Sequence, residues 1–237
     1  MQFIKKLIIP IVIASLNAGC GYNIYESDNV AERSAISSNS SDPFWGKELC
    51  NTAEYKCIRV YRGDTWAKLF PNEDQRKLIM TLNRTNMALK YRSWIIVPRD
   101  VTATKRSLSP FPEKISASNK KKIVISVPKQ AYAAYDTNGD LIRWGAVNTG
   151  REDGEHHTPR GRFSIYRKQG AECKSSKYPI PTGGSPMPYC MHFYKGYALN
   201  EYQMPGFAIS HGCVRLKMSD AKWLYSFSPV GTEVIIK

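Results

Sequence analysis

The chain has 237 residues and a formal net charge of +14, with 34 Lys and Arg against 20 Asp and Glu. Its 42% hydrophobic and 11% aromatic residues are enough to bury a core, which excludes a chain that is disordered as a whole. Six cysteines are too few for a disulfide-dominated scaffold. The positive charge favours polyanionic surroundings, such as nucleic acid, anionic lipid or cell wall, and does not choose among them.

The N-terminus predicts export. Two lysines precede an apolar run over 7–16, and residues 1–19 have the layout of a secretory signal peptide that is too short to span a bilayer stably. The ending Ala-Gly-Cys resembles a bacterial lipoprotein signal, which implies that Cys20 carries lipid and anchors the protein to the outer membrane. Asn17 departs from that pattern, because a branched apolar residue is usual there, and ordinary cleavage nearby is the alternative. Export argues against a nucleic-acid partner.

Two polar stretches divide the rest of the chain. Residues 20–47 are rich in Ser, Asn, Asp and Glu and predict a flexible tether, and residues 100–119 predict a linker. Between them, residues 50–99 form a compact segment. Residues 120–237 form a second, larger segment.

The compact segment has the pattern strand, helix, helix, strand. A short strand ends at Val60, a helix is expected from Trp66 to Phe70 after Gly63-Asp64-Thr65, a second helix spans Glu73–Leu82, and a strand covers Trp94–Val97. This order resembles a LysM module, which implies a small α+β domain that binds the N-acetylglucosamine backbone of peptidoglycan or chitin. The matching residues are Val60, Gly63-Asp64-Thr65, Leu69, Leu82-Asn83, Asn86 and Ile96-Val97-Pro98. A small α+β domain without a sugar groove is the alternative, since the usual Pro-Gly turn after Asn86 is missing.

The larger segment is predicted to be mainly β with one short helix. An Asn-Gly turn at 138–139 joins two alternating runs, which predicts a hairpin. The helix is expected to begin with Ser219 or Asp220 as its cap. The other predicted strands cover 122–127, 163–166, 189–193, 196–199 and 234–236.

The clearest chemical signal is Ser210-His211-Gly212-Cys213-Val214-Arg215-Leu216. A histidine two residues before a cysteine and an arginine two residues after it favour the thiolate. Gly212 lets a backbone N–H approach a developing oxyanion. From the residues alone, a reactive Cys213 and an ordinary buried cysteine are about equally supported.

This motif resembles the signature of the L,D-transpeptidase catalytic domain, and Thr158-Pro159-Arg160-Gly161-Arg162-Phe163 fits the same family. The resemblance implies a β-sandwich catalytic domain over 120–237. It also implies a Cys213 nucleophile that attacks the carbonyl between diaminopimelate and D-alanine in a peptidoglycan stem peptide. Backbone N–H groups near Gly212 would stabilise the oxyanion. Arg215 either holds the substrate carboxylate or packs as a structural ion pair, and Ser210 orients the loop.

The position of the general base departs from the family pattern. The usual histidine of the preceding strand aligns with Asn200, whose amide is not basic. His192 has 17 residues between it and Ser210, and it is expected on a neighbouring strand, on the same face as Asn200. We therefore predict His192 as base with Asn200 orienting it, and His211 or a weakened activity are the alternatives. His156 and His157 are expected at the surface.

The remaining cysteines form an even set. Cys50 and Cys57 are seven apart, and Cys173 and Cys190 flank a Gly/Pro/Ser-rich excursion, so both pairs are predicted to form disulfides in an oxidising periplasm. No metal site or cofactor is predicted, because two adjacent histidines without further ligands are a poor metal site.

Three functions remain open. The first is an exported L,D-transpeptidase whose partners are peptidoglycan stem peptides, glycan strands and the membrane. The second is a wall-binding envelope lipoprotein with weak or no catalysis, and the third is an L,D-carboxypeptidase or a transferase that attaches an envelope protein to the wall.

Overall fold

The computed structural model describes residues 42–100 and 102–237. The predicted signal peptide, the lipidation site Cys20 and most of the predicted tether lie outside these residues. Among the helices of the described part of the chain, none is long and apolar enough to cross a membrane.

The small segment contains β1 (Tyr55–Arg59), α1 (Trp66–Leu69), α2 (Glu73–Leu82) and β2 (Trp94–Pro98). The two strands pair antiparallel. The helices begin where the sequence supplies a cap: Thr65 accepts a hydrogen bond from the Lys68 N–H, and Asn72 accepts one from the Gln75 N–H. We call this βααβ unit the module. Its core comprises Trp66, Phe70, Ile79, Leu89, Ile95 and Val97.

The large segment begins with a five-stranded sheet in the order β5-β4-β3-β11-β6. The Asn-Gly turn joins β4 to β5 as predicted from its positive-φ glycine, and β11 inserts between β3 and β6. The strands are β3 (Lys122–Ser126), β4 (Ala131–Tyr135), β5 (Leu141–Ala146), β6 (Gly161–Ser164) and β11 (Glu233–Ile236).

A second sheet has four strands in the order β10-β9-β8-β7. They are β7 (Arg167–Lys168), β8 (Met191–Tyr194), β9 (Tyr197–Glu201) and β10 (Val214–Leu216). Neither β7 nor β10 was predicted, because strands of two or three residues are too short to show alternation. The last helix, α3 (Met218–Phe227), begins earlier than predicted, with Lys217 at its cap position. Asp220 is not the cap; its buried carboxylate instead accepts a hydrogen bond from Arg143 at 2.6 Å.

The core lies between the two sheets and α3. Residues from both sheets meet there, including Ile123 and Ile125 of β3, Leu199 of β9 and Val214 of β10, with Leu224 of α3 beside them. Because side chains alternate along a strand, the remaining residues of the four-stranded sheet point away from this core. That outer face carries the motif cysteine.

The module packs directly on the large segment. Arg84, in the turn after α2, is fully buried, lies over the rings of Trp45 and Trp144, and donates to the Lys129 carbonyl at 2.9 Å. Burial lowers the pKa of Arg84 to about 9. Part of the predicted linker also packs, since Phe111 is buried against the first sheet. The two segments are therefore joined by a polar and aromatic contact.

Candidate active site

The outer face of the four-stranded sheet gathers the motif residues. Met191, Leu199 and Val214 belong to the main core, so their neighbours along each strand face the other way. The strand register pairs His192 with Ala198 and Arg215 with Asn200. The same face therefore carries the following residues of β7 to β10: Arg167, His192, Ala198, Asn200 and Arg215.

Cys213 joins this face just before β10. It packs in a small buried cluster with Ala198, Met187 and the Cys173–Cys190 disulfide. The side chain is 1% exposed. A nucleophilic role therefore requires this side chain to become accessible to the substrate.

The turn before Cys213 is held by hydroxyl groups. Ser210 Oγ donates to the Cys213 carbonyl at 2.5 Å and accepts from the Gly212 N–H at 2.9 Å. Thr158 Oγ1 donates to the Gly212 carbonyl at 2.8 Å. Ser210 thus holds the turn through two hydrogen bonds. The Gly212 N–H, in contrast, is already engaged, so it reaches an oxyanion only if Ser210 releases it.

Gly212 is required by its backbone and by its surroundings. Its φ is +117°, in the region that disfavours side chains, and an added Cβ would lie 2.2 Å from Tyr197 Cε1. The ring of Tyr197 therefore sits against the bare backbone of the motif turn. This close approach fixes the path of the chain into Cys213.

His192 is buried on the site face and hydrogen-bonded to a cation. Arg167 Nη2 lies 3.0 Å from His192 Nε2, and because a guanidinium only donates, Nε2 accepts and the ring proton lies on Nδ1. Nδ1 is buried and has no hydrogen-bond partner among the described residues. Burial and the charge of Arg167 lower the pKa of His192 to about 4. His192 is therefore neutral at pH 7, and Arg167 occupies its lone pair.

Asn200 occupies the position where the family has its histidine, and it is also buried. Its Nδ2 donates to the Glu201 carbonyl at 2.7 Å, while Oδ1 has no hydrogen-bond partner among the described residues. No hydrogen bond joins Asn200 to His192 in the described part of the chain. Asn200 shares the face with His192, as expected, and offers one unsatisfied acceptor.

His211 lies at the rim of the motif turn. Its ring stacks on Tyr178, with centroids 4.9 Å apart, and meets the ring of His156 edge-on at 4.8 Å. Burial, followed by the charge of Arg151, lowers the pKa of His211 to about 4. Tyr178 comes from the excursion between Cys173 and Cys190, so this excursion covers the motif histidine.

His156 was expected at the surface, and the structure shows that this was wrong. Its side chain is 8% exposed, because Nδ1 lies 2.8 Å from Asp153 Oδ2 and the ring packs on His211. Two adjacent residues in a bend face opposite sides, which sequence spacing did not reveal. His157 is exposed, as expected.

Arg215 is buried beneath the motif. Nη1 donates to the Gln203 carbonyl at 3.0 Å, and the guanidinium lies 4.6 Å from the centroid of the Tyr202 ring. Burial lowers its pKa to about 10. No carboxylate of the described residues lies within 4 Å of it, so the ion-pair alternative for Arg215 lacks a partner there.

Two disulfides lie within the described residues, Cys50–Cys57 and Cys173–Cys190. The second closes the excursion over the site, and a His192 ring nitrogen lies within 4.8 Å of both of its sulfurs. With both sulfurs in the disulfide, this group is not a thiolate metal site.

Comparisons with known proteins relate the large segment to a known catalytic domain. Residues 120–236, just under half of the chain, match the model of YkuD, the L,D-transpeptidase catalytic domain. We call this matched part of the chain the transpeptidase domain. The module, the residues before it and residues 100–119 lie outside this match.

Solved structures of L,D-transpeptidases are similar to parts of this chain. The L,D-transpeptidase of Xylanimonas cellulosilytica is 25% identical, with a TM-score of 0.51, over 69% of this chain and 79% of that one. The L,D-transpeptidase of Stackebrandtia nassauensis is 27% identical, with a TM-score of 0.46, over 55% of this chain; the match spans 62% of that protein's length. No curated protein matches the sequence significantly.

The transpeptidase domain also contacts the module close to the motif. Thr85 Oγ1 donates to the Met204 carbonyl at 2.7 Å, and Gly206, in the segment leading to Ser210, approaches the Asn83 carbonyl so closely that a Cβ would lie 3.0 Å from it. Sequence reasoning missed this contact, and also the roles of Thr158, Arg167 and Tyr178. Thr158 alone carried a signal, since it belongs to the motif quoted for the family.

Proposed function

We propose that the protein is a cysteine-dependent L,D-transpeptidase that acts on peptidoglycan stem peptides through a thioester. The family match supports the reaction class. The observation that carries the residue assignment is the position of Cys213, which lies in a hydroxyl-braced turn on the sheet face that also bears His192, Asn200 and Arg215. Arg215 supplies the cation that attracts a substrate carboxylate towards this face.

The chemistry uses the Cys213 thiolate as nucleophile. Sγ attacks the carbonyl carbon of the bond between diaminopimelate and D-alanine, the C–N bond breaks, and D-alanine leaves with a proton on its amine. The thioester is then attacked by an acceptor amine, which restores the thiol. Water as acceptor would give an L,D-carboxypeptidase, and a protein lysine would attach an envelope protein to the wall.

His192 is the base in this proposal. It lies on β8, and β9 separates this strand from β10, which begins directly after Cys213. Its low pKa keeps His192 neutral and able to accept a proton at pH 7. Only Nε2 carries a lone pair, so Arg167 must turn away before Nε2 takes the thiol proton. His211 is the competing base, because it is two residues from Cys213 and is equally neutral.

The proposed location of the enzyme and its binding to the cell wall rest on the sequence alone. We propose that the protein is exported, that Cys20 carries lipid, and that the module binds glycan strands as a LysM unit. These assignments place the enzyme on the periplasmic face of the outer membrane, where a basic protein meets peptidoglycan.

A second candidate function is a peptidoglycan-binding envelope protein without turnover. It is favoured by Asn200 at the family's histidine position and by the Arg167 hydrogen bond that occupies His192. Both features weaken proton abstraction, and neither blocks the binding of peptidoglycan elsewhere on the protein.

The test is acylation of Cys213. The protein, pre-treated with a reductant and then desalted, is incubated with tetrapeptide muropeptides, and intact mass and free D-alanine are measured, with Cys213→Ala as control. We expect an adduct on the cysteine protein alone. Neither adduct nor D-alanine would favour the binding protein. The same assay with His192→Ala and His211→Ala identifies the base, and a full rate in His192→Ala would reject our assignment.

A further inference from the structure

On the side of α2, a large open groove lies between the module and the transpeptidase domain. Its volume is about 1070 Å³. One wall is α2 with the ends of β1 and β2, and the other is formed by residues 103–105, β5 and the start of α3. It does not include any residue of the Cys213 face.

The groove is basic. Six Lys and Arg side chains line the groove. Among the described residues that line it, Asp74 is the one acidic residue. Lys77 pairs with Glu73, and Arg143 and Lys217 share the buried carboxylate of Asp220. The remaining cations have no carboxylate within 4 Å among the described residues; these are Lys56, Arg99 and Lys105.

Lys105 is half-buried in this groove. Burial is the main cause that lowers its pKa to about 8; Asp220 opposes this shift, and repulsion by Lys217 and Arg143 adds to it. A bound anion would reverse this effect, because it would stabilise the charged form.

Part of the groove lining is apolar. This part, which we call the floor, consists of Ile58 and Val97 of the module sheet together with Phe70 and Pro98. A lining with both apolar and charged residues suits a sugar ring, whose flat faces are apolar and whose substituents are polar.

We propose that this groove binds a carboxylate-bearing glycan, in which sugar rings lie on the apolar floor and carboxylates meet Lys105, Arg99 and Lys56. The proposal rests on the proposed function, since it names the glycan strand with its peptide stems as the bound polymer. It adds a site outside the Cys213 face and away from Gly63-Asp64-Thr65, and it uses Val97 and Pro98 at the other end of the residues that resemble the LysM pattern.

The experiment measures binding rather than turnover. The Cys213→Ala protein is titrated with a soluble glycan strand carrying peptide stems, with a neutral chito-oligosaccharide of equal length, and with a glycerol-phosphate oligomer. We expect the carboxylate-bearing strand to bind most tightly. The double variant Lys105→Gln, Arg99→Gln should lower that affinity at least tenfold, and the surface control Lys120→Gln, Lys222→Gln, which removes the same number of charges away from the groove, should not.

Two further readouts keep the proposal falsifiable. Raising the pH from 7 to 9 should weaken binding, and Lys105→Arg should bind normally and lose this pH dependence. Equal affinity for the neutral oligosaccharide, tighter binding of the phosphate oligomer, or no difference between the two double variants would overturn it. A lack of acyl adduct on Cys213 would count against the proposed function and leave these binding results unaffected.

Discussion

Asn86 of the module and Met204 of the transpeptidase domain bind each other through both their backbones and a side chain. The Asn86 N–H donates to the Met204 carbonyl at 3.2 Å, and the Met204 N–H donates to Asn86 Oδ1 at 2.8 Å. Asn86 Nδ2 also donates to the Tyr202 carbonyl at 3.0 Å. The module thus braces the segment that runs from β9 to the Ser210 turn.

Replacing Asn86 tests whether this brace serves catalysis. Asn86→Ala removes two side-chain hydrogen bonds, each worth about 1 kcal/mol, and frees the segment before Ser210. We expect a lower midpoint of thermal unfolding and a fall in kcat of about tenfold with little change in KM. Asn72→Ala, which removes the cap of α2 at a similar energetic cost, is the control and should keep kcat. Equal kcat in both variants would show that the contact is structural only.

Arg167 controls the availability of His192. Because it occupies the lone pair of Nε2, Arg167→Ala should raise the pKa of His192 and increase the rate of Cys213 acylation several-fold. Arg167→Lys is the matched variant that keeps the charge. The rates are followed by the adduct mass under single-turnover conditions. A slower rate in Arg167→Ala would mean that Arg167 assists the reaction or that His192 is not the base.

The two buried histidines predict acid sensitivity. The pKa values of His192 and His211 are about 4 in the folded protein and 6.5 when unfolded, so the unfolded state binds more protons between these values. Their contribution is complete above pH 6.5 and is lost as the pH falls towards 4, with a slope of about 1.4 kcal/mol per pH unit for each histidine.

Denaturant unfolding across this pH range measures that slope. His192→Gln should reduce the slope by the contribution of one histidine, about 1.4 kcal/mol per pH unit. His157 is exposed, so His157→Gln should leave the slope unchanged. An unchanged slope in His192→Gln would show that His192 is not protonated on unfolding in this window.

Gly212 and Tyr197 should be energetically coupled. Gly212→Ala places a Cβ against the Tyr197 ring at a φ of +117°, so we expect lost acylation and a destabilisation of about 2 kcal/mol or more. Tyr197→Ala in the same chain removes the clash and leaves the backbone strain. A double-mutant cycle by thermal unfolding should give a coupling energy above about 0.5 kcal/mol, and additive effects would refute the contact.

The amino-acid sequence was enough to predict the local elements and to find the motif. Alternation and caps gave α2 at its observed bounds, because these depend on side chains close in the chain. It also led to the family of residues 120–236, since the motif around Cys213 is contiguous. Short strands such as β7, and the burial of His156, could not be found this way, because each depends on a neighbour distant in sequence.

Which groups meet at the site depends on contacts between residues far apart in the chain, and these are visible only in the folded protein. The pairing of β7 with β8 brings Arg167 to His192, and the burial that follows sets the state of both nitrogens. The docking of the module brings Asn86 to Met204 over 118 residues and leaves a basic groove beside it. Such contacts arise from sheet register and domain packing. Their geometry is fixed by a free energy that is summed over many pairs of residues distant in the sequence, and a local preference does not determine it.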